Sequence, residues 1–134
     1  MIDKKDLMVD NLVYERNNKV FRIDFFERDK VCMNLINQVV DFPMHPMTEY
    51  FEELNPIPIT EEILLKCKNV LCTFENEAGK VFGYFEGNLL IHSSRIIIKS
   101  DKKTWYNGRE LNGLHEYQNI IKSLTGNNLE ISKL

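Results

Sequence analysis

Near the end of the chain, apolar side chains fall at alternating steps of three and four: Leu114, Tyr117, Ile120, Ile121 and Leu124. That spacing places them on one side of a helix of about 3.6 residues per turn. His115, Glu116, Asn119, Lys122 and Ser123 take the other side. Gly126 stands where a left-handed residue ends a helix, and Lys122 complements the negative end of the helix dipole. A helix of about three turns is marginal alone. The pattern therefore predicts an amphipathic helix that docks on a β-sheet.

Upstream, the pattern shifts to alternation. Asn11-Leu12-Val13-Tyr14 reads as a short strand, followed by the polar turn Glu15-Arg16-Asn17-Asn18. Val20 to Phe26 reads as a second strand, with Phe21, Ile23 and Phe25 on one face and Arg22 and Asp24 on the other. Asp29-Lys30 turns the chain into a third strand from Val31 to Leu35, with an extension through Val40 also open. Short strands joined by polar turns predict a small antiparallel sheet or an SH3-like barrel.

Prolines punctuate the middle of the chain. Pro43 and Pro46, in Phe42-Pro43-Met44-His45-Pro46-Met47, each remove a ladder donor and end the sheet. Asn55-Pro56-Ile57-Pro58-Ile59 is extended for the same reason, and Thr48 to Leu54 is assigned one helical turn between them. Thr60 is a helix cap: its hydroxyl can accept an orphan amide, and Glu61 and Glu62 suit the positive end of the dipole. Ile63, Leu64 and Leu65 are expected to give this short helix its buried side.

A β-meander follows. Asn69 to Phe74 and Lys80 to Phe85 form a hairpin through Glu75-Asn76-Glu77-Ala78-Gly79, and Phe85-Glu86-Gly87-Asn88-Leu89 makes a second tight turn. Leu89 to His92 and Arg95 to Lys99 continue it, and Trp105-Tyr106 adds a short strand before Asn107-Gly108. No internal repeat or dividing linker interrupts the pattern.

Composition agrees with a globular chain. Its 134 residues are 43% hydrophobic and 28% charged, which predicts one domain over 1–134 with a substantial core. No apolar run reaches the length of a membrane span, and Met1-Ile2-Asp3-Lys4-Lys5-Asp6 lacks a signal peptide's apolar stretch. The expectation is a soluble, cytoplasmic protein with no membrane partner. Three cysteines do not make a disulfide framework, so they are expected to be reduced.

The net charge of −3 conceals a segregation. No Lys or Arg occurs from Val31 to Leu65, where Asp41, Glu49, Glu52, Glu53, Glu61 and Glu62 lie. From Arg95 to Arg109 the balance reverses: Arg95, Lys99, Lys102, Lys103 and Arg109 stand against Asp101. Such a pattern is either ordinary solvated surface or a polarised field that steers a partner.

Candidate chemistry is sparse. Cys67 and Cys72, with Cys32 and the three histidines, have one zinc-like spacing but no second paired cluster, and His92 is isolated; Cys67 as a nucleophile would need His92 or His115 brought beside it. Met44-His45-Pro46-Met47 holds soft copper-type ligands, although methionine in a loop usually packs. A phosphate-cradling glycine loop, a catalytic carboxylate pair and a serine elbow are all lacking. Neither a cofactor nor a metal is expected, and the sequence points away from an enzyme.

Three blocks stand in order: Asn11-Leu-Val-Tyr14, Asn55-Pro-Ile-Pro-Ile-Thr-Glu-Glu-Ile-Leu-Leu-Lys66 and Leu114-His-Glu-Tyr-Gln-Asn-Ile-Ile-Lys-Ser-Leu-Thr-Gly126. Together they resemble a group of small uncharacterised proteins of Bacteroidetes genomes, prophages and phages. Those carry a Gly-Asn-Leu-Val start, a Pro-Ile-Pro-Leu-Thr-Glu-Glu-Trp-Leu-Leu block and a His-Gln-Leu-Gln-Asn-Leu…Leu-Thr-Gly ending. Here Asp10 replaces the Gly, Ile63 the Trp and Tyr117 a Leu. The resemblance implies a mobile-element context and transfers no catalytic residue.

The expected architecture is α+β: an amino-terminal antiparallel sheet or small SH3-like barrel, a short central helix, a β-meander, and the carboxyl-terminal amphipathic helix packed on the sheet. The expected function is non-enzymatic binding of another, unidentified protein, with His115, Gln118 and Asn119 as partner-binding residues. The alternative is a nucleic-acid-binding module using the basic hairpin Arg95–Arg109, where Arg95, Lys99, Lys102 and Lys103 stand beside Trp105 and Tyr106.

Overall fold

The computed structural model of the chain describes residues 2–35 and 47–132. The extension of the third strand through Val40 and the Phe42–Pro46 break, with its methionine–histidine motif, lie outside the described residues. The fold is mixed α+β, with two antiparallel sheets. By contacts the chain divides into two compact units, Met1–Pro58 with Gly113–Asn119 and Ile59–Asn112 with Ile120–Leu134. No helix among the described residues is long and apolar enough to cross a membrane.

The first unit is built on a meander of β1 (Leu12–Tyr14), β2 (Val20–Glu27), β3 (Lys30–Leu35) and β4 (Met47–Tyr50) in sequential order. Val13, Ile23, Val31, Met33 and Leu54 are fully buried in its core, with Phe21 and Phe51 beside them. After β4 the chain returns to β1, where Tyr14 and Asn55 exchange two backbone hydrogen bonds of 2.9 Å. This return carries a curled sheet part of the way toward the barrel form.

Two expectations here are corrected. Thr48 to Tyr50 are strand, not helix, because β4 pairs with β3 from Lys30↔Tyr50 to Met33↔Met47; only Phe51–Glu53 make a 3-10 turn. Phe25 does not share a face with Phe21 and Ile23. The β2–β3 register slips between Ile23↔Met33 and Phe25↔Cys32, a bulge that turns Phe25 out to solvent.

In the second unit, Thr60 caps α1 (Glu61–Leu65) by accepting the Ile63 amide at 3.2 Å. The cap is as expected, but the buried side is narrower. Leu64 is fully buried, whereas Leu65 is 64% exposed, since a helix this short turns only part of its circumference inward. The tail strengthens this region: Lys68 donates to Glu130 O at 2.8 Å and Ser132 to Lys66 O at 2.9 Å.

The five-stranded sheet runs β5 (Val70–Asn76), β6 (Gly79–Glu86), β7 (Leu89–Lys99), β8 (Thr104–Tyr106) and β9 (Arg109–Glu110) in sequential order. The two short strands expected from Leu89 to Lys99 are one strand, because Ser94 bridges the irregular stretch. Its hydroxyl accepts the Tyr84 amide at 2.9 Å and donates to Ile91 O at 2.5 Å.

The terminal helix α2 (Leu114–Thr125) ends at Gly126, φ +77°, as the pattern predicts. Its polar side is not where the spacing puts it. His115, Glu116 and Gln118 are buried along with Leu114 and Tyr117, and Leu124 is exposed. The first turns are enclosed all round, which a two-sided pattern does not anticipate.

Candidate functional site

Gln118 and Asn119 are the polar residues of α2 whose partners are clearest. The Leu12 amide donates to Gln118 Oε1 at 2.8 Å, and Gln118 Nε2 donates to Asp10 O at 3.3 Å. Asn119 Nδ2 donates to Asp6 O at 2.7 Å, while Asn11 Nδ2 donates to Asn119 Oδ1 at 2.8 Å. Asn11 in turn accepts the Met8 amide at 2.8 Å. Helix side chains thus satisfy the Leu12 end of the outer edge of β1 and the segment leading into it, the part of that edge Asn55 does not cover.

His115 is 1% exposed, and its Nδ1 has no hydrogen-bond partner among the described residues. Burial pushes its pKa down, against the opposing charges of Glu116 and Asp6, so it is neutral at pH 7. Gly113 lies against it: a Cβ there would sit 2.6 Å from Pro56 Cβ and 3.1 Å from His115 Nδ1. The structure therefore turns His115, Gln118 and Asn119 inward, as a brace within the first unit. A partner reaching for the Gln118 or Asn119 amide would have to displace its backbone contacts.

A different surface is presented by the five-stranded sheet. Antiparallel partners share a face. One face carries the buried Val70, Phe82, Tyr84, Ile96 and Thr104. The other carries a continuous cross-strand row, Phe74↔Val81↔Ile97↔Trp105. Phe74 is 59% exposed, Ile97 39%, and Leu71 beside them 57%. Single exposed apolar residues are ordinary; here the apolar positions form a contiguous row across four strands.

A bulge builds this row. Leu71 pairs with Gly83 and Phe74 with Val81, so the register slips between Cys72 and Phe74. In a regular strand Phe74 would share the face of Val70 and Cys72; the extra residue re-aims it to the other. Gly83 lacks a side chain where Leu90, Thr73 and Arg95 close over it; a Cβ there would sit 2.4 Å from Leu90 Cδ1.

Arg95, Lys99 and Trp105 of the basic hairpin join this open face. Lys99 Nζ sits 4.5 Å from the Trp105 ring centroid, and Arg95 Nε donates to His92 O at 3.1 Å. Trp105 Nε1 is buried without an acceptor among the described residues. Lys102 and Lys103 occupy the exposed β7–β8 turn, where Asp101 accepts the Lys103 amide at 3.0 Å. Tyr106 pairs with Arg109, one position past Trp105, and so takes the opposite face. The face thus has an apolar row with Arg95 on one side of it and Lys99, over Trp105, on the other.

The cysteines are separated by environment. Cys67 is buried and donates to Ile63 O at 3.4 Å; burial pushes its thiol up to about 12, so it stays protonated at neutral pH. Cys72 is exposed on β5, and Cys32 is buried near Thr48. Elsewhere in this unit, Lys80 is held by Glu61 at 2.7 and 2.9 Å and by Glu75 at 3.6 Å. The chain matches no protein-family model, no curated protein and no solved structure.

Proposed function

We propose that the chain is a non-enzymatic binding module that docks another protein on the open face of β5–β8. The carrying observation is the row Phe74–Val81–Ile97–Trp105, exposed at Phe74 and Ile97 and half-buried at Val81 and Trp105, into which a bulge brings Phe74. Burying a core-type residue's worth of apolar area there would contribute about 1.5–3 kcal/mol per side chain. With Arg95 on one side of the row and Lys99, Lys102 and Lys103 on the other, the partner surface is apolar at its centre and acidic at its rim. The resemblance to Bacteroidetes phage and prophage proteins supports a role as a mobile-element accessory protein in the cytoplasm. Asp10 holds φ +71°, a conformation that suits the glycine those proteins carry there.

One observation favours a second reading, nucleic-acid binding: Lys99 over Trp105, with Arg95 on the same face, joins cations to an aromatic ring. The aliphatic centre of the row and the net charge of −3 favour the protein partner. A photo-crosslinking residue placed at Ile97, with a control at Ser123, separates the two. The proposal expects a protease-sensitive, nuclease-resistant adduct at Ile97 only, lost on Arg95→Glu with Lys99→Glu. A nuclease-sensitive adduct transfers the role to nucleic acid, and equal adducts at both positions remove the face from consideration.

A further inference from the structure

We propose a second site, independent of the docking face: a hollow in the first unit that takes a small molecule with a flat apolar body and an anionic head. The hollow has a volume of about 730 Å³ and is lined by Leu7, Phe26, Lys4, Lys5, Arg28 and Asp3. It is an open depression, not an enclosed cavity, so a ligand seated there would keep one side in solvent. Phe26 gives it a rigid apolar wall, because its ring stacks on Phe51 with centroids 6.0 Å apart and planes 10° from parallel.

The charges on its rim are unequal. Lys4 is fixed in place: Nζ donates to Arg28 O at 2.7 Å and lies 5.0 Å from the Phe51 ring centroid. Lys5 is 3.5 Å from Asp3, and the Arg28 guanidinium has no ion-pair partner among the described residues. Beyond Lys4 lies a second hollow of about 430 Å³, and there Asp3, Asp29 and Glu52 reverse the sign. Only the Arg28 side suits an anion.

Arg28 is also out of place as a turn residue. The loop between β2 and β3 is Arg28-Asp29, and Arg28 adopts φ +44°, where a tight hairpin turn favours glycine. The turn holds an arginine side chain at this rim position at a backbone cost. Its guanidinium would pair with a carboxylate or phosphate at the rim while the ring of the ligand covers Phe26 and Leu7. That chemistry is shared by nucleoside monophosphates and aryl carboxylates.

Calorimetric titration of the full chain at low salt tests this, with adenosine 5′-monophosphate and 1-naphthoate as probes and adenosine and inorganic phosphate as controls. At least one anionic aryl probe should bind about tenfold or more tightly than either control, and which probe binds tells a nucleotide site from an aryl-acid site. Arg28→Gly should weaken that binding at least about tenfold while raising the unfolding midpoint, and Arg28→Lys should restore part of it. Binding of neither probe, equal binding of a control, or unchanged affinity in Arg28→Gly overturns the proposal.

Discussion

Gln118 accepts the amide hydrogen of Leu12 at 2.8 Å across 106 residues of sequence. Its own amide group donates back to Asp10 O at 3.3 Å, so one side chain supplies both an acceptor and a donor to the start of β1. Gln118→Ala should leave a buried backbone donor unsatisfied and destabilise the protein by about 1–3 kcal/mol in urea unfolding. An unchanged midpoint would show that water replaces the side chain there.

His115 makes stability depend on pH. Its folded-state pKa lies below its ordinary value of 6.5, because burial disfavours the imidazolium. Between the folded and unfolded values the unfolded chain binds more protons, so stability falls as pH drops below about 6.5, by at most about 1.4 kcal/mol per pH unit. His115→Gln should flatten the stability profile between pH 7 and the onset of carboxylate protonation. Thermal melts at intervals of pH check this.

Gly79 closes the β5–β6 turn at φ +156°, with Asn76 Oδ1 accepting the Ala78 and Gly79 amides at 2.8 and 3.1 Å. A Cβ at this position would lie 2.4 Å from Ile98 O, a backbone atom that a rotamer change cannot move. Gly79→Ala should cost about 1–3 kcal/mol. Gly87, also at positive φ but with open space around it, should show a smaller loss from strain alone.

Phe74→Ser and Ile97→Ser remove apolar area that already faces solvent. Each should change folding stability by no more than about 0.5 kcal/mol while weakening partner binding. Phe82→Ser, next to Val81 on β6 but on the opposite face and fully buried, should instead destabilise by several kcal/mol. Parallel chemical denaturation of the three variants distinguishes a surface row from core.

Local signals were legible where one residue's chemistry decides the backbone. The Thr60 cap, the Gly126 stop and the Gly87 turn follow from side-chain capping and glycine conformations that need no distant contact, whereas the strand form of Thr48 to Tyr50 depends on pairing with β3. Glu15 shows the limit: it reads as a turn residue, yet it is buried because its carboxylate accepts the Asn17 and Lys19 amides at 2.7 and 3.1 Å. The basic hairpin was visible as charge beside aromatics, but the partition of Trp105 and Tyr106 onto opposite faces needed the β7–β8–β9 register.

By itself the chain determined an α+β fold with a capped central helix, a meander and a terminal helix, since period and punctuation are local properties. Tertiary structure decided what those elements expose. Bulges in β2 and β5 send Phe25 and Phe74 outward, and enclosure of the first turns of α2 draws His115 and Gln118 inward. A bulge is a mismatch between two strands, and burial depends on what surrounds a helix. Neither is a property of one segment, so hydrophobic spacing along that segment cannot encode it.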